Sequence, residues 1–382
     1  MFRRFVIGLA ALCALVATPA GAQQDEGRAA RLIADLGLRE APQPVSELTG
    51  WAKPRRIVVR DLTPERRAWL QLAAPGVELV GAASVSEAAE AARDADAVLG
   101  FCEERVLTAG PRIRWAQTYN AGVERCLSST IFRERGILLT NMQRILGPVM
   151  AEHVMALVLA HARGLPGYVL AQREGRWARG GVPATPGLPS LPGGDLPAFA
   201  LTGRTMLVIG YGGVGSEVAR RAHAFGMTVL AVRNSTGPLP PIVSRMGSSA
   251  DLPALAREAD IIVDTLPLTP ETKGILGAPF FAAVKKGAFF VNVGRGGTVD
   301  TDALVKALRE GRLGGAGLDV TEPEPLPAGH PLWAMPNVII TPHVSADSEL
   351  DEEIRWLLVR ENLKRYVSGG RMLSVVDPAR GY

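Results

Sequence analysis

The sequence predicts an α/β chain of two doubly wound parallel-sheet domains, with a C-terminal helix returning to the first. Three observations carry this. Apolar runs of strand length alternate with helical patterns over residues 56–140 and again over 205–340, and such alternation belongs to parallel sheets with crossover helices. At the head of the second alternation, residues 206–233 read strand, glycine turn, helix, strand. A last amphipathic pattern over 348–367, with Leu350, Ile354, Leu357 and Leu358 on one face, stops at Gly369 and Gly370 and is too short to make a domain alone.

Taken in order, residues 1–22 read as an export signal: Arg3 and Arg4, an apolar run over 5–17, then Ala20-Gly21-Ala22 as a cleavage site before Gln23. The run is shorter than the ~20 residues that span a bilayer, so no stable membrane span is expected. An uncleaved anchor and a misplaced start are the other readings. Arg3-Arg4-Phe5-Val6-Ile7 loosely suits a twin-arginine signal, the route for folded cargo, although Phe2 stands where a polar residue is usual. The expected location is periplasmic or secreted if the signal is used and cytoplasmic otherwise. Residues 23–54 form a polar, partly ordered arm with one amphipathic piece at 29–38.

The first domain spans 55–146 and is completed by 345–382. Its strands fall at 56–59, 78–81, 97–101, 115–119 and 137–140, with helices at 64–72 and 86–93. A linking helix at 147–163 has Pro148 near its start and Gly164 at its end, and is apolar nearly all round, hence buried. The second domain spans 147–344. Its six strands are 205–209, 228–232, 261–264, 288–293, 315–319 and 338–340, with the clearest helix at 301–310. The Pro/Gly-rich stretch 180–199 lacks periodicity and reads as an inserted surface loop, with a lid or an oligomer contact as alternatives.

Composition narrows the function classes. The 382 residues carry 47% hydrophobic and 21% charged side chains, ordinary for a globular protein. The 42 basic and 38 acidic residues are spread along the chain without a basic run, so the net charge of +4 does not point to nucleic acid. Cys13, Cys102 and Cys126 are isolated, no Cys/His cluster has metal-ligand spacing, and no metal is expected. Spacing leaves open whether Cys102 and Cys126 pair.

The glycine turn carries the first chemistry. Gly210, Gly212 and Gly215 have G-x-G-x-x-G spacing between strand and helix, the arrangement of a Rossmann dinucleotide-binding domain. The first glycine permits the turn, the second lets backbone approach a pyrophosphate, and the third lets helix pack on strand. Tyr211, Gly213 and Val214 complete the loop, whose helix N-terminus favours phosphate. At the end of the second strand stands Arg233, where an NAD-binding unit places an acid for the ribose hydroxyls. An arginine fork suits a 2′-phosphate, and Asn234 and Ser235 add polar groups beside it. The reading favours NADP(H) over NAD(H); a solvated loop arginine is the alternative.

Other candidates have two readings each. The turn Asn120, Ala121, Gly122, Val123 follows a strand and either offers N–H groups to a substrate carboxylate or is an ordinary αL turn. His153 after Glu152 suggests a catalytic pair, but a satisfied core histidine is favoured. Arg295, Glu324 and His343 follow predicted strands of the second domain, where open α/β sheets place ligands. Alone, they would be a turn arginine, a loop acid and a surface histidine.

Together with Gly210–Gly215, Leu266-Pro-Leu-Thr-Pro-Glu-Thr-Lys273, Val293-Gly-Arg-Gly296, Leu318–Pro325 and Thr341-Pro-His343, they make the chain resemble the D-isomer-specific 2-hydroxyacid dehydrogenases, near the glyoxylate/hydroxypyruvate reductase branch, over roughly 55–367. The resemblance implies a flavodoxin-like substrate domain, a Rossmann domain and a homodimer. It implies that Arg295 binds the carboxylate and keto oxygen of a small 2-oxoacid, that His343 protonates that oxygen as hydride arrives, and that Glu324, rather than Glu322, pairs with His343. It sets Asp319 against the nicotinamide carboxamide, gives Leu266, Pro267, Thr272 and Val293 to the cofactor, and gives Asn120 to Val123 to the carboxylate. Formate enzymes of this fold carry Gln at the position of Glu324, which argues against formate; phosphite is less easily excluded. A non-catalytic dinucleotide sensor, the use made of the similar C-terminal-binding-protein corepressors, is the reading from another class. The export signal and the 180–199 insertion depart from the family pattern.

Overall fold

The computed structural model describes residues 19–177, 198–235 and 237–381, with side chains from Gln24 onward except Asp351. The expected signal run up to residue 18 and most of the insertion at 180–199 fall outside these residues, while the expected cleavage site, Ala20-Gly21-Ala22, lies within the helix Pro19–Leu36. The chain divides into two compact units, one running up to Met142 and taking in Glu353–Pro378, the other Gln143–Glu352 with the chain from Ala379.

In the first unit, helix α1 (Pro19–Leu36) precedes β1 (Arg56–Arg60), α2 (Pro64–Gln71), β2 (Glu78–Ala82), α3 (Val85–Ala91), β3 (Ala97–Leu99), α4 (Glu104–Ala109), β4 (Trp115–Gln117), α5 (Glu124–Leu127), α6 (Ile131–Arg135) and β5 (Leu138–Thr140). The strands form a parallel sheet in the order β2-β1-β3-β4-β5, the flavodoxin-like order. Local chemistry sets the helix starts: Thr63 accepts from Arg66 N with Pro64 in the first turn of α2, and Ser84 accepts from Glu87 N ahead of α3. Strand β3 ends earlier than expected because Gly100 (φ 84°) turns the chain where a Cβ would meet that of Arg60 at 2.6 Å.

The stretch 23–54 is more than a partly ordered arm. Asp25 accepts from Trp69 Nε1 at 2.6 Å, Lys364 pairs with Glu26 at 2.6 Å, and Ala29, Leu38 and Val45 are buried. Polar anchors, which carry no periodicity, hold it there. Cys102, after β3, is disulfide-bonded to Cys126 in α5, with Cα atoms 5.2 Å apart.

The second unit holds α7 (Gly147–Ala162), α8 (Leu165–Arg173), β6 (Thr205–Ile209), α9 (Gly213–Ala224), β7 (Thr228–Val232), β8 (Arg245–Gly247), α10 (Leu252–Ala256), β9 (Ile261–Asp264), α11 (Ala278–Ala283), β10 (Ala288–Asn292), α12 (Thr301–Arg309), β11 (Leu313–Leu318) and β12 (Val338–Ile340). The parallel order is β12-β11-β10-β9-β6-β7-β8, so the sheet has seven strands instead of the six expected. The missed strand, β8, is an edge of three residues, Arg-Met-Gly, with no apolar run to announce it. Strands β9 and β10 are buried throughout, as parallel strands covered on both faces must be. One cluster packs α7 and α9 on one face through Val154, Val158, Val218 and Ala222. Another packs α10, α11 and α12 through Leu255, Phe281 and Leu304.

The C-terminal helix α13 (Glu349–Ser368) returns to the first sheet, as predicted. Its Tyr366 ring lies 4.7 Å from that of Trp115 on β4, and the buried Asn362 donates to Gln117 Oε1 at 2.9 Å. Among the described residues, no single helix is long and apolar enough to cross a membrane.

Candidate active site

The three glycines of the turn run from the end of β6 into the first turn of α9, where their spacing placed them. Gly210 has φ 96°, between β6 and α9, and Thr265 Oγ1 steadies it by donating to its carbonyl at 2.7 Å. A Cβ on Gly215 would stand 2.0 Å from Gly210 O, so helix and strand are as close as glycine allows. A Cβ on Gly212 would meet nothing within 4 Å, and no side chain caps α9 there. Open space above a helix start with uncapped N–H groups fits a pyrophosphate, with Tyr211, Gly213 and Val214 forming the rest of the loop.

Arg233 follows β7, as the spacing required. Its Nη2 donates to Gly237 O at 2.6 Å and Pro238 O at 2.9 Å, which holds the guanidinium over the turn beside the exposed Asn234 and Ser235. No acid stands at this strand end.

Three loops at the carboxyl ends of β10, β11 and β12 carry the charged candidates. Arg295 follows β10 and is half-buried, its Nη1 donating to Gly294 O at 2.8 Å. Gly296 next to it is obligatory, since a Cβ would lie 1.9 Å from Thr321 O. His343 follows β12, its Nδ1 2.7 Å from Glu324 Oε1, and both side chains are nearly half exposed, which leaves Nε2 for another partner. Glu324, not Glu322, makes this contact. The contact with the carboxylate orients the ring.

Asp319 is buried, and both its oxygens are occupied. Oδ1 accepts from Thr341 Oγ1 at 2.6 Å and Val344 N at 2.9 Å, and Oδ2 from Ser345 N at 3.0 Å. Burial acts to raise its carboxyl pKa, but bonds from Ser345, Thr341 and Val344 outweigh it and hold it below the usual range. The carboxylate assigned from the sequence to the carboxamide thus has a visible task of its own, bracing the turn that presents His343. His153 Nε2 sits 3.0 Å from Thr341 Oγ1, while Glu152 pairs instead with Arg221. The favoured reading of His153, a satisfied histidine, fits this contact.

Thr272 closes the 266–273 loop on itself: its hydroxyl donates to Pro267 O at 2.7 Å and accepts from Thr269 N at 2.8 Å. Leu266 packs against the core cluster that holds Ile209 and Leu318 and donates its N–H to Asp264 Oδ1 at 2.9 Å, while Val293 is buried in the cluster on the α7 and α9 side. Sequence reasoning passed over Asp264 and Thr298, since nothing in their spacing distinguishes them from ordinary strand and turn residues.

In the first unit, the carbonyls of the candidate carboxylate turn are already satisfied. Met142 N donates to Asn120 O at 3.1 Å and Asn141 Nδ2 to Ala121 O at 2.6 Å. None of Asn120, Ala121, Gly122 or Val123 has a positive φ, which removes the αL alternative, and Asn120 and Ala121 are exposed.

Comparison with known proteins agrees with this geometry. Residues 155–345 match the family described as D-isomer specific 2-hydroxyacid dehydrogenase, NAD binding domain. The chain is 35% identical over 282 residues to a glyoxylate reductase of Thermococcus kodakarensis, covering 72% of this chain and 81% of that protein. It is 35% identical over 267 residues to glyoxylate/hydroxypyruvate reductase B of Escherichia fergusonii, covering 69% and 78%. A D-isomer specific 2-hydroxyacid dehydrogenase from Xanthobacter autotrophicus, in complex with NADPH and MES, superposes with a TM-score of 0.70 at 30% identity, over 87% of this chain and all of that one. An NADPH-dependent glyoxylate/hydroxypyruvate reductase from Sinorhizobium meliloti, in complex with NADP and sulfate, gives 0.67 at 29% identity over 86% of this chain and all of its own. The chain belongs to the D-isomer-specific 2-hydroxyacid dehydrogenase family, the NAD(P)-dependent oxidoreductases that act on CH–OH donors.

Proposed function

We propose that the protein reduces a small 2-oxoacid, of the glyoxylate or hydroxypyruvate type, to the D-2-hydroxyacid at the expense of NADPH. The observation that carries this reading is the 2.7 Å contact between His343 and Glu324 on loops leaving the same edge of the sheet as the Arg295 turn. Arg295 supplies a fixed positive charge and a planar fork for the carboxylate and keto oxygen. The dinucleotide supplies the hydride. His343 donates its Nε2 proton to the carbonyl oxygen as negative charge builds there, and Glu324 holds the ring and offsets the charge of its protonated form. In the reverse direction His343 takes the hydroxyl proton.

The NADP(H) preference is supported by arginine at the β7 end and by the NADPH and NADP bound in similar structures. Arg233→Asp should lower the NADPH-to-NADH ratio of kcat/KM by about tenfold or more, the worth of one charge-assisted bond. An unchanged ratio would remove the 2′-phosphate contact. The homodimer is supported by the exposed apolar side chains of α8, Leu165, Tyr168, Val169 and Leu170. Export is a proposal from the first 22 residues; N-terminal sequencing of protein from fractionated host cells should begin at Gln23. Steady-state assays with a 2-oxoacid panel and both cofactors test the whole reading, and a protein that binds NADPH but reduces none of them would be a sensor.

A further inference from the structure

Asp264 ends β9 fully buried, next to the turn that carries Arg295, and its contacts have a proton requirement. Thr298 Oγ1 lies 2.6 Å from Asp264 Oδ2 and 2.7 Å from Arg295 O. The carbonyl of Arg295 can only accept, and an ionised carboxylate can only accept. The Thr298 hydroxyl has one hydrogen, so with Asp264 ionised one of these two short contacts has no proton in it. With a proton on Oδ2, every group is satisfied: Asp264 donates to Thr298, Thr298 donates to Arg295 O, and Oδ1 accepts from Leu266 N at 2.9 Å. Asn292 Nδ2 reaches the same Arg295 carbonyl at 3.1 Å, and Asn292 Oδ1 accepts from Gly294 N at 2.9 Å, which completes a buried brace around the Arg295 backbone.

We propose that Asp264 is a neutral carboxylic acid that, through the Thr298 hydroxyl, fixes the backbone of Arg295 and so acts as a positioning residue for the substrate arginine. The positioning role rests on the substrate role proposed above for Arg295. The groups that face Asp264 are neutral: Thr298 from the turn after β10, the Leu266 amide, and Asn292 and Ile209 opposite it on the paired strands β10 and β6. Arg295 is the cation of that turn, and Glu322 approaches the turn at Gly297. Burial pushes the Asp264 carboxyl up to about 7 against the opposing bonds from Thr298 and Leu266, and no charged side chain enters the balance. Loss of the proton to solvent would turn the Thr298 hydroxyl toward the carboxylate and release the Arg295 carbonyl from it. The brace is therefore intact at acid pH and weakened above neutrality.

Difference infrared spectroscopy of the NADPH-loaded enzyme between about pH 5.5 and 8.5 reads the proton directly. A carboxylic-acid carbonyl band should be present at the lower pH, lost at the higher, and missing in Asp264→Asn, whose amide can donate to Thr298 as the acid does. An absent band, or one that persists in Asp264→Asn, overturns the neutral acid. For positioning, the wild-type KM for the 2-oxoacid should rise about fivefold more over the same range than that of Asp264→Asn, the worth of one hydrogen bond. Thr298→Val should show the higher KM already at the lower pH. Coincident KM profiles for wild type and Asp264→Asn overturn the positioning role, because the pH dependence of His343 is common to both. If no variant turns over a 2-oxoacid or binds oxalate, the reading of Arg295 fails and the positioning role falls with it. The infrared band still decides the proton.

Discussion

His343 occupies left-handed backbone, φ 57°, which costs a residue with a Cβ about 1–2 kcal/mol. The offset is visible around it: His343 N donates to Asp319 O at 2.8 Å while the Asp319 side chain ties down Thr341, Val344 and Ser345. Asp319→Asn should therefore loosen the histidine. It should lower kcat more than cofactor affinity, and remove stability that the wild type has above the unfolded aspartate pKa and loses as pH falls toward its depressed folded value. Melting curves from about pH 3 to pH 7 for both proteins check the sign. Asp264 has the opposite linkage. Its folded pKa is raised, so its contribution is fully present below the unfolded value and is lost as pH rises to about 7. Relative to Asp264→Asn, the wild type should lose stability between those values and stay level above them. On the mechanism proposed above, reduction uses the protonated His343 ring and oxidation the neutral one, so the two directions should have opposite pH slopes. At this scale the sequence displayed the charged triad and hid its supports. Arg295, Glu324 and His343 stand out only together, through the motifs that carry the family resemblance, whereas Thr298 and Asp264 matter because of one shared hydrogen, which no spacing reveals.

Two short elements bear on function. The β6–α9 turn depends on Gly215, where any Cβ would strike Gly210 O at 2.0 Å. Gly215→Ala must push helix from strand, with a stability loss of about 1–3 kcal/mol and a larger loss of NADPH affinity; a variant that binds NADPH as tightly as wild type would contradict the packing argument. The disulfide joins the loop after β3 to α5, immediately beyond the Asn120–Val123 turn, across a sequence separation of 24. Cys102→Ser with Cys126→Ser should lower unfolding stability by about 3 kcal/mol, measured by denaturant titration. Elements with periodicity were legible to within about two residues at their ends. The edge strand β8 and the docking of the first helix were not: one is three residues long, and the other is held by the single polar contacts of Asp25 and Glu26.

At the scale of the molecule, the chain forms two parallel sheets. One presents the glycine turn, Arg295, Glu324 and His343 at its carboxyl edge; the other holds the Asn120–Val123 turn and is closed by the C-terminal helix. The two βα alternations and the glycine fingerprint made this division readable, because buried parallel strands are continuous apolar runs. Dimerisation through α8 should be abolished by charged replacements at Tyr168 and Val169, read by sedimentation equilibrium, with NADPH binding retained. On the proposed function, His343 is the proton donor for hydride reduction of a 2-oxoacid. The most direct measurement is NADPH oxidation with saturating glyoxylate or hydroxypyruvate by wild type and His343→Ala. A fall in kcat of about 10²–10⁴-fold with NADPH affinity preserved is the predicted result. Turnover within a few-fold of wild type would contradict it.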